Sequence, residues 1–101
     1  MLALEIRVNG ELRAICGDAA LDFLSVWIKA ARNGASAAQD FDLTIQCQGH
    51  RKVDAELDEV LKWVHARVKL GDEFSIRFVD VDRTHQPIDR QTYPRPVPPD
   101  A

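Results

Sequence analysis

The sequence has no excess of basic residues, no glycine-rich loop and no long apolar run, and each absence removes a class of function. Thirteen Lys and Arg stand against sixteen Asp and Glu, for a net charge of -3 and a pI near 5.5. That balance argues against a nucleic-acid binder working by bulk electrostatics and against polybasic attachment to a membrane. No stretch approaches the length of a membrane-spanning helix. The first residues, Met1-Leu2-Ala3-Leu4-Glu5, meet a charge at the fifth position, so the uninterrupted apolar core of a secretory signal is missing. Cys16 and Cys47 are the only cysteines, too few for a disulfide framework. Each sits within an apolar alternation and is read as a reduced, buried, small hydrophobe of a cytoplasmic protein. Arg exceeds Lys and Ala is abundant, a composition that points to a bacterial origin.

Catalytic and metal-binding motifs are equally scarce. No Ser or Cys stands in a nucleophile motif such as G-x-S-x-G. No glycine-rich loop enters a helix to cradle phosphate. Cys47-Gln-Gly-His50 has a metal-like spacing but lacks the second pair of ligands that zinc requires. Asp40-Phe-Asp42 and Asp80-Val-Asp82 lack the longer oxygen-rich loop that calcium needs. No cofactor and no metal are expected. His50 and His65 remain as polar candidates. Either would support a small enzyme only from a cleft shared with at least two other polar groups.

What is present reads as one α+β domain of 101 residues, 46% hydrophobic and 29% charged. Leu4 and Ile6 alternate with Glu5 and Arg7. After Asn9-Gly10 the alternation resumes with Leu12, Ala14 and Cys16. A three-residue loop Val8-Asn9-Gly10 would set Ile6 opposite Leu12 and Leu4 opposite Ala14. Asp18 is a plausible N-cap for a helix over about 19–32, stopped by Asn33-Gly34. Strands follow over Phe41–Cys47 and about Val53–Ala55, with Gly49 as a turn. A second helix over about 56–69 and a last strand over 73–81 complete the order ββαββαβ. The expected architecture is a two-layer sandwich: a mainly antiparallel sheet of about five strands with two helices on one face. Without its first strand it has the ferredoxin-like order. Asp22, Trp27 and Ala30 recur as Asp58, Trp63 and Ala66, so ββα units over 2–34 and 41–70 are a possible internal repeat. The domain is set at 1–82. Residues 83–101 hold all five prolines, including Arg95-Pro-Val-Pro-Pro99, and are read as a Pro-rich tail.

The strongest functional signal is the segment 19–32 read as a helix. On a helical wheel its apolar residues cover roughly 220°, more than one sheet can hide. Phe23, Val26, Trp27 and Ala30 then need a second cover: the other helix, the Pro-rich tail or another chain. The expected function is a non-catalytic protein-interaction module, such as a regulator, an inhibitor or immunity-type protein, or an accessory subunit. It is expected to associate with itself as a homodimer, with another protein, or both, through Phe23, Val26, Trp27 and Ala30. A small-molecule-binding regulatory domain is the alternative, and a small enzyme the third reading. The positions expected on the open sheet face carry no aromatic residue on which RNA bases could stack, so nucleic acid is not an expected partner.

Overall fold

The computed structural model describes residues 1–32 and 41–95. These form seven strands: β1 (Leu2–Val8), β2 (Glu11–Cys16), β3 (Phe23–Arg32), β4 (Phe41–Lys52), β5 (Leu57–Val68), β6 (Phe74–Asp80) and β7 (Asp89–Pro94). All pairings are antiparallel. They build a three-stranded sheet in the order β2-β1-β6 and a four-stranded sheet in the order β3-β4-β5-β7. Leu4, Ile6, Ala14 and Cys16 of the first sheet and Ile45, Cys47, Leu61, Trp63 and Val64 of the second meet in one buried cluster. The fold is thus an all-β sandwich, and the α+β expectation is corrected: there is no helix among the described residues.

Both expected helices are strands, for identifiable reasons. In β3 the even residues Leu24, Val26, Ile28 and Ala30 lie opposite Gly49, Cys47, Ile45 and Leu43 of β4 and face the core layer. Phe23, Ser25, Trp27 and Lys29 point the other way. A strand with apolar side chains on both faces, drawn on a helical wheel, produces an oversized apolar arc. The arc was a period-2 signal plotted at the wrong period. In β5 a bulge deceives differently. Cys47 pairs with Val64 and Gln48 with Lys62, so Trp63 is an extra residue. The bulge shifts the alternation by one place. The apolar series Leu57, Leu61, Val64, Val68 then mimics spacings of three and four.

The first hairpin differs from the expected register. Asn9 (φ 52°) and Gly10 (φ 81°) both occupy the left-handed region and form a two-residue turn that pairs Val8 with Glu11. Parity is restored by a bulge: Arg7 pairs with Leu12 and Ile6 with Ala14, leaving Arg13 unpaired. Gly49 lies inside β4 rather than at a turn. A Cβ there would come within 2.7 Å of the Leu21 side chain and 3.0 Å of the Trp63 ring, so glycine admits their close approach. Asp18 caps no helix; its carboxylate accepts the Ala20 N–H at 2.9 Å within a loop.

The segment expected as a tail beyond residue 82 belongs to the domain as far as Arg95. His85 exchanges bonds with Ile15 at the edge of β2: its N–H donates to the Ile15 carbonyl at 2.9 Å, and its Nδ1 accepts the Ile15 N–H at 3.1 Å. The Trp63 indole N–H donates to the His85 carbonyl at 2.8 Å. β7 then pairs along β5 from Lys62 to Leu57. Arg95 binds the Asp58 carboxylate at 2.8 Å and the carbonyls of Asp54 and Ala55. The Pro96–Pro99 run lies outside the described residues. The proposed repeat also loses its basis: the described residues contain no helix and so no ββα unit, and β4 pairs with both β3 and β5.

Candidate interface at the open side of the sandwich

The four sheet edges are β2, β6, β3 and β7. His85 closes the edge of β2 through Ile15. Of the other three, β3 and β6 come near each other. Leu2 shares a hollow of about 230 Å³ with Phe23 and Leu24, and Phe74 shares one of about 290 Å³ with Ile28 and Ala30. The start of β6 therefore lies near Ile28 and Ala30 of β3 at one flank of the sandwich. Its side chains Phe74, Ile76 and Phe78 pair with Val8, Ile6 and Leu4 and share their inward-facing side. Val8, Ile6 and Leu4 are buried, whereas Phe78 is 72% exposed. Ile76 is also exposed, and on β3 so is Ile28, at 56%. These side chains are on the inward-facing side and still remain exposed.

The four residues expected at an interface are separated by the strand alternation. Val26 and Ala30 face inward, Val26 packed against the core and Ala30 exposed. Phe23 (60% exposed) and Trp27 (55% exposed) lie on the outer face of the same strand. All four still belong to the unpaired edge strand. Sequence reasoning missed Ile28, Ile76 and Phe78 as a group. The alternation of β6 was visible, but its placement beside β3 was not.

His50 and His65 both project from the outer face of the four-stranded sheet, opposite Val60 and Gln46 respectively. Four residues of β4 separate those rows, roughly 13 Å, so the histidines do not act together. His50 Nε2 stands 3.9 Å from Asp58, whose carboxylate Arg95 occupies. The Arg95 guanidinium holds the Asp58 carboxyl below its usual range. His65 lines an open hollow of about 360 Å³ with Lys29, Asp42, Thr44 and Arg67, where Arg67 pairs with Asp42 at 2.7 Å. No group of three or more His, Cys, Asp or Glu among the described residues could hold a metal ion.

Charge elsewhere is spent on holding the sheets. Glu5, on the outer face of β1, accepts from Arg77 Nε at 2.9 Å and Arg7 Nε at 3.1 Å. These bonds lower its pKa against the opposing effect of desolvation. Glu59 receives Arg51 at 2.7 Å and Arg90 at 3.5 Å. No helix among the described residues is long and apolar enough to cross a membrane. Comparison with known protein families, curated proteins and solved structures finds no match.

Proposed function

We propose that this chain is a non-catalytic interaction module of the cytoplasm that pairs with a second copy of itself through the edge strand β3. The observation that carries the reading is the unpaired edge of β3 beside an exposed apolar face: Ile28 on β3, and Ile76 and Phe78 on the inward-facing side of β6, are all exposed. An antiparallel β3 from a two-fold-related copy would continue the four-stranded sheet and cover that face. The strand suits self-pairing. About a two-fold at Ile28, the core side would join Ile28 to Ile28 and Val26 to Ala30. The outer side would join Trp27 to Lys29, a cation over an indole. Lys29 and Arg32 are the only charged residues of β3, and neither would face a like charge in this register. The Cα radius of gyration, 16.3 Å, exceeds the ~13 Å of a compact chain of this length, as suits a protomer with an unfilled flank.

The test is molar mass by sedimentation or light scattering from micromolar concentrations upward. A dimer that Phe78→Ser dissociates supports the reading, and a chain that stays monomeric throughout the range refutes it. The hollow at His65 favours a second reading, a small-molecule site on the outer face. It places a histidine among several polar groups, although Arg67 and Asp42 pair with each other there. A thermal-shift screen with small anions and nucleotides separates the two, because a native-state ligand raises the melting temperature.

A further inference from the structure

The sequence has two asparagines, Asn9 and Asn33, and each precedes a glycine. Asn33 lies outside the described residues. Asn9 sits in the turn between β1 and β2, where it and Gly10 are both exposed and a Cβ on Gly10 would meet nothing within 4 Å. Its side chain reaches across to the turn before β6. The Asn9 Nδ2–H donates to Asp72 Oδ1 at 2.9 Å, and Asn9 Oδ1 accepts the Glu73 N–H at 3.0 Å. The Asn9 N–H donates to the Glu73 carbonyl at 2.8 Å. The second Asp72 oxygen accepts the Lys69 N–H at 2.8 Å. Asn9 is thus latched to residues 72 and 73 through its side chain and its main chain. We propose that Asn9 is a deamidation site gated by this latch: the closed latch keeps the amide from reacting, and the product no longer holds the latch closed.

The only co-reactant is water. The Gly10 main-chain nitrogen attacks Asn9 Cγ. The N–Cγ bond forms, the Cγ–Nδ2 bond breaks, and the amide nitrogen leaves as ammonia with the Gly10 proton. Glycine suits the attack because no Cβ crowds its nitrogen. Water then opens the five-membered imide at either carbonyl and leaves an aspartyl or an isoaspartyl residue at position 9. No electrons are exchanged. Attack requires Cγ to swing over the following peptide nitrogen, whereas the Asn9 amide is bound at both ends to Asp72 and Glu73. The latch must therefore open first, which breaks two hydrogen bonds, one of them to a charged acceptor. The product has no donor for Asp72. The Asn9 donor and the Lys69 N–H hold the Asp72 carboxyl below its usual range, so it is an anion near neutrality. A carboxylate at position 9 would face that anion at hydrogen-bond distance and be repelled. An isoaspartyl residue also adds a carbon to the main chain of the turn. Conversion is one-way and frees the first hairpin from the start of β6.

The experiment incubates the full chain in mildly alkaline buffer, folded or in denaturant, and follows positions 9 and 33 by peptide mapping with mass detection. In denaturant the two Asn-Gly pairs should convert at similar rates, so Asn33 is the internal reference. In the folded chain Asn9 should convert roughly tenfold more slowly than in denaturant, the factor that two hydrogen bonds supply. Asp72→Ala, with a cooperative melt to show that it is folded, should raise the folded-state rate severalfold. Asn9→Asp should keep the strand signal and exchange the amide hydrogens of residues 9 and 73 faster than the parent. Equal rates for the folded parent and in denaturant would overturn the inference. So would an unchanged rate in folded Asp72→Ala, or unchanged exchange in Asn9→Asp. If Asp72→Ala fails to fold, the parent's folded-to-denatured ratio and the exchange of Asn9→Asp still decide. These readouts are specific to positions 9 and 73 and stand apart from the self-association reading.

Discussion

Replacing Ile28 by lysine separates self-association from folding. Ile28 is 56% exposed in the single chain. Full burial of an isoleucine is worth about 1.5–3 kcal/mol, so covering the exposed half contributes roughly 1–1.5 kcal/mol. The two-fold counts it twice, for roughly 2–3 kcal/mol per dimer. The substitution also sets two ammonium groups against each other at the axis, which adds to the loss. At about 1.4 kcal/mol per tenfold, the dimer Kd should rise at least ~30-fold. The fold itself should lose only the contact of the covered half, about 1 kcal/mol, or roughly 4–8 °C in Tm. Sedimentation velocity over a concentration series reads the first effect, and a circular-dichroism melt reads the second. A variant that sediments like the parent while melting normally would refute the placement of β3 at the interface. If Ile28→Lys unfolds instead, Phe78→Ser repeats the test with a side chain that the monomer scarcely buries.

Four further outcomes follow from the same geometry. Trp27→Ser should weaken association roughly tenfold with little change in Tm, because its indole is exposed in the monomer; an unchanged Kd would remove Trp27 from the seam. Gly49→Ala forces Leu21 and Trp63 aside and should cost about 1–3 kcal/mol, read as a lowered Tm with retained strand signal; an unchanged Tm would show that Leu21 yields freely. Glu5 has a folded pKa below its unfolded value of about 4.3. Its contribution is present above that value and disappears as pH falls through the lower folded one. Arg77→Gln should therefore flatten the fall of Tm below about pH 4, and an identical slope in both proteins would assign the effect elsewhere. Trp63→Phe removes the donor to the His85 carbonyl and should lower stability by about 1 kcal/mol. It should also speed hydrogen exchange at Ile15 and His85 ahead of the core strands; uniform exchange would show that the 83–88 segment does not depend on this bond.

Much of the sheet was legible because local alternation is enforced by burial on one face. Leu4-Glu5-Ile6-Arg7, Leu43 to Cys47, and Phe74-Ser75-Ile76 all read as strands and are strands. The failures lie where that rule is locally overridden. β3 has apolar residues on both faces, since Phe23 and Trp27 lie outside while Leu24 and Val26 line the core. In β5 the extra residue Trp63 breaks the count. The prolines after residue 86 suggested chain outside the core, but proline is compatible with an edge strand such as β7, where Pro94 sits at its last position. For the candidate interface, the sequence reading used the wrong periodicity. Phe23, Val26, Trp27 and Ala30 belong to an unpaired edge rather than to one face of a helix.

By itself the sequence determined which stretches alternate, where the Asn9-Gly10 turn falls, and that acidic residues outnumber basic ones. Those are properties of neighbouring residues, set by backbone sterics, the two-residue repeat of a strand and net charge. Tertiary structure alone decided that Cys16 and Cys47 share one core, that Trp63 anchors the strap at His85, and that Ile76 and Phe78 stay exposed on the inward-facing side of β6. Each of these joins residues distant in the chain, and their meeting depends on which strands pair and how two layers stack. Periodicity carries no record of that choice, because every alternating strand offers the same apolar face to any partner.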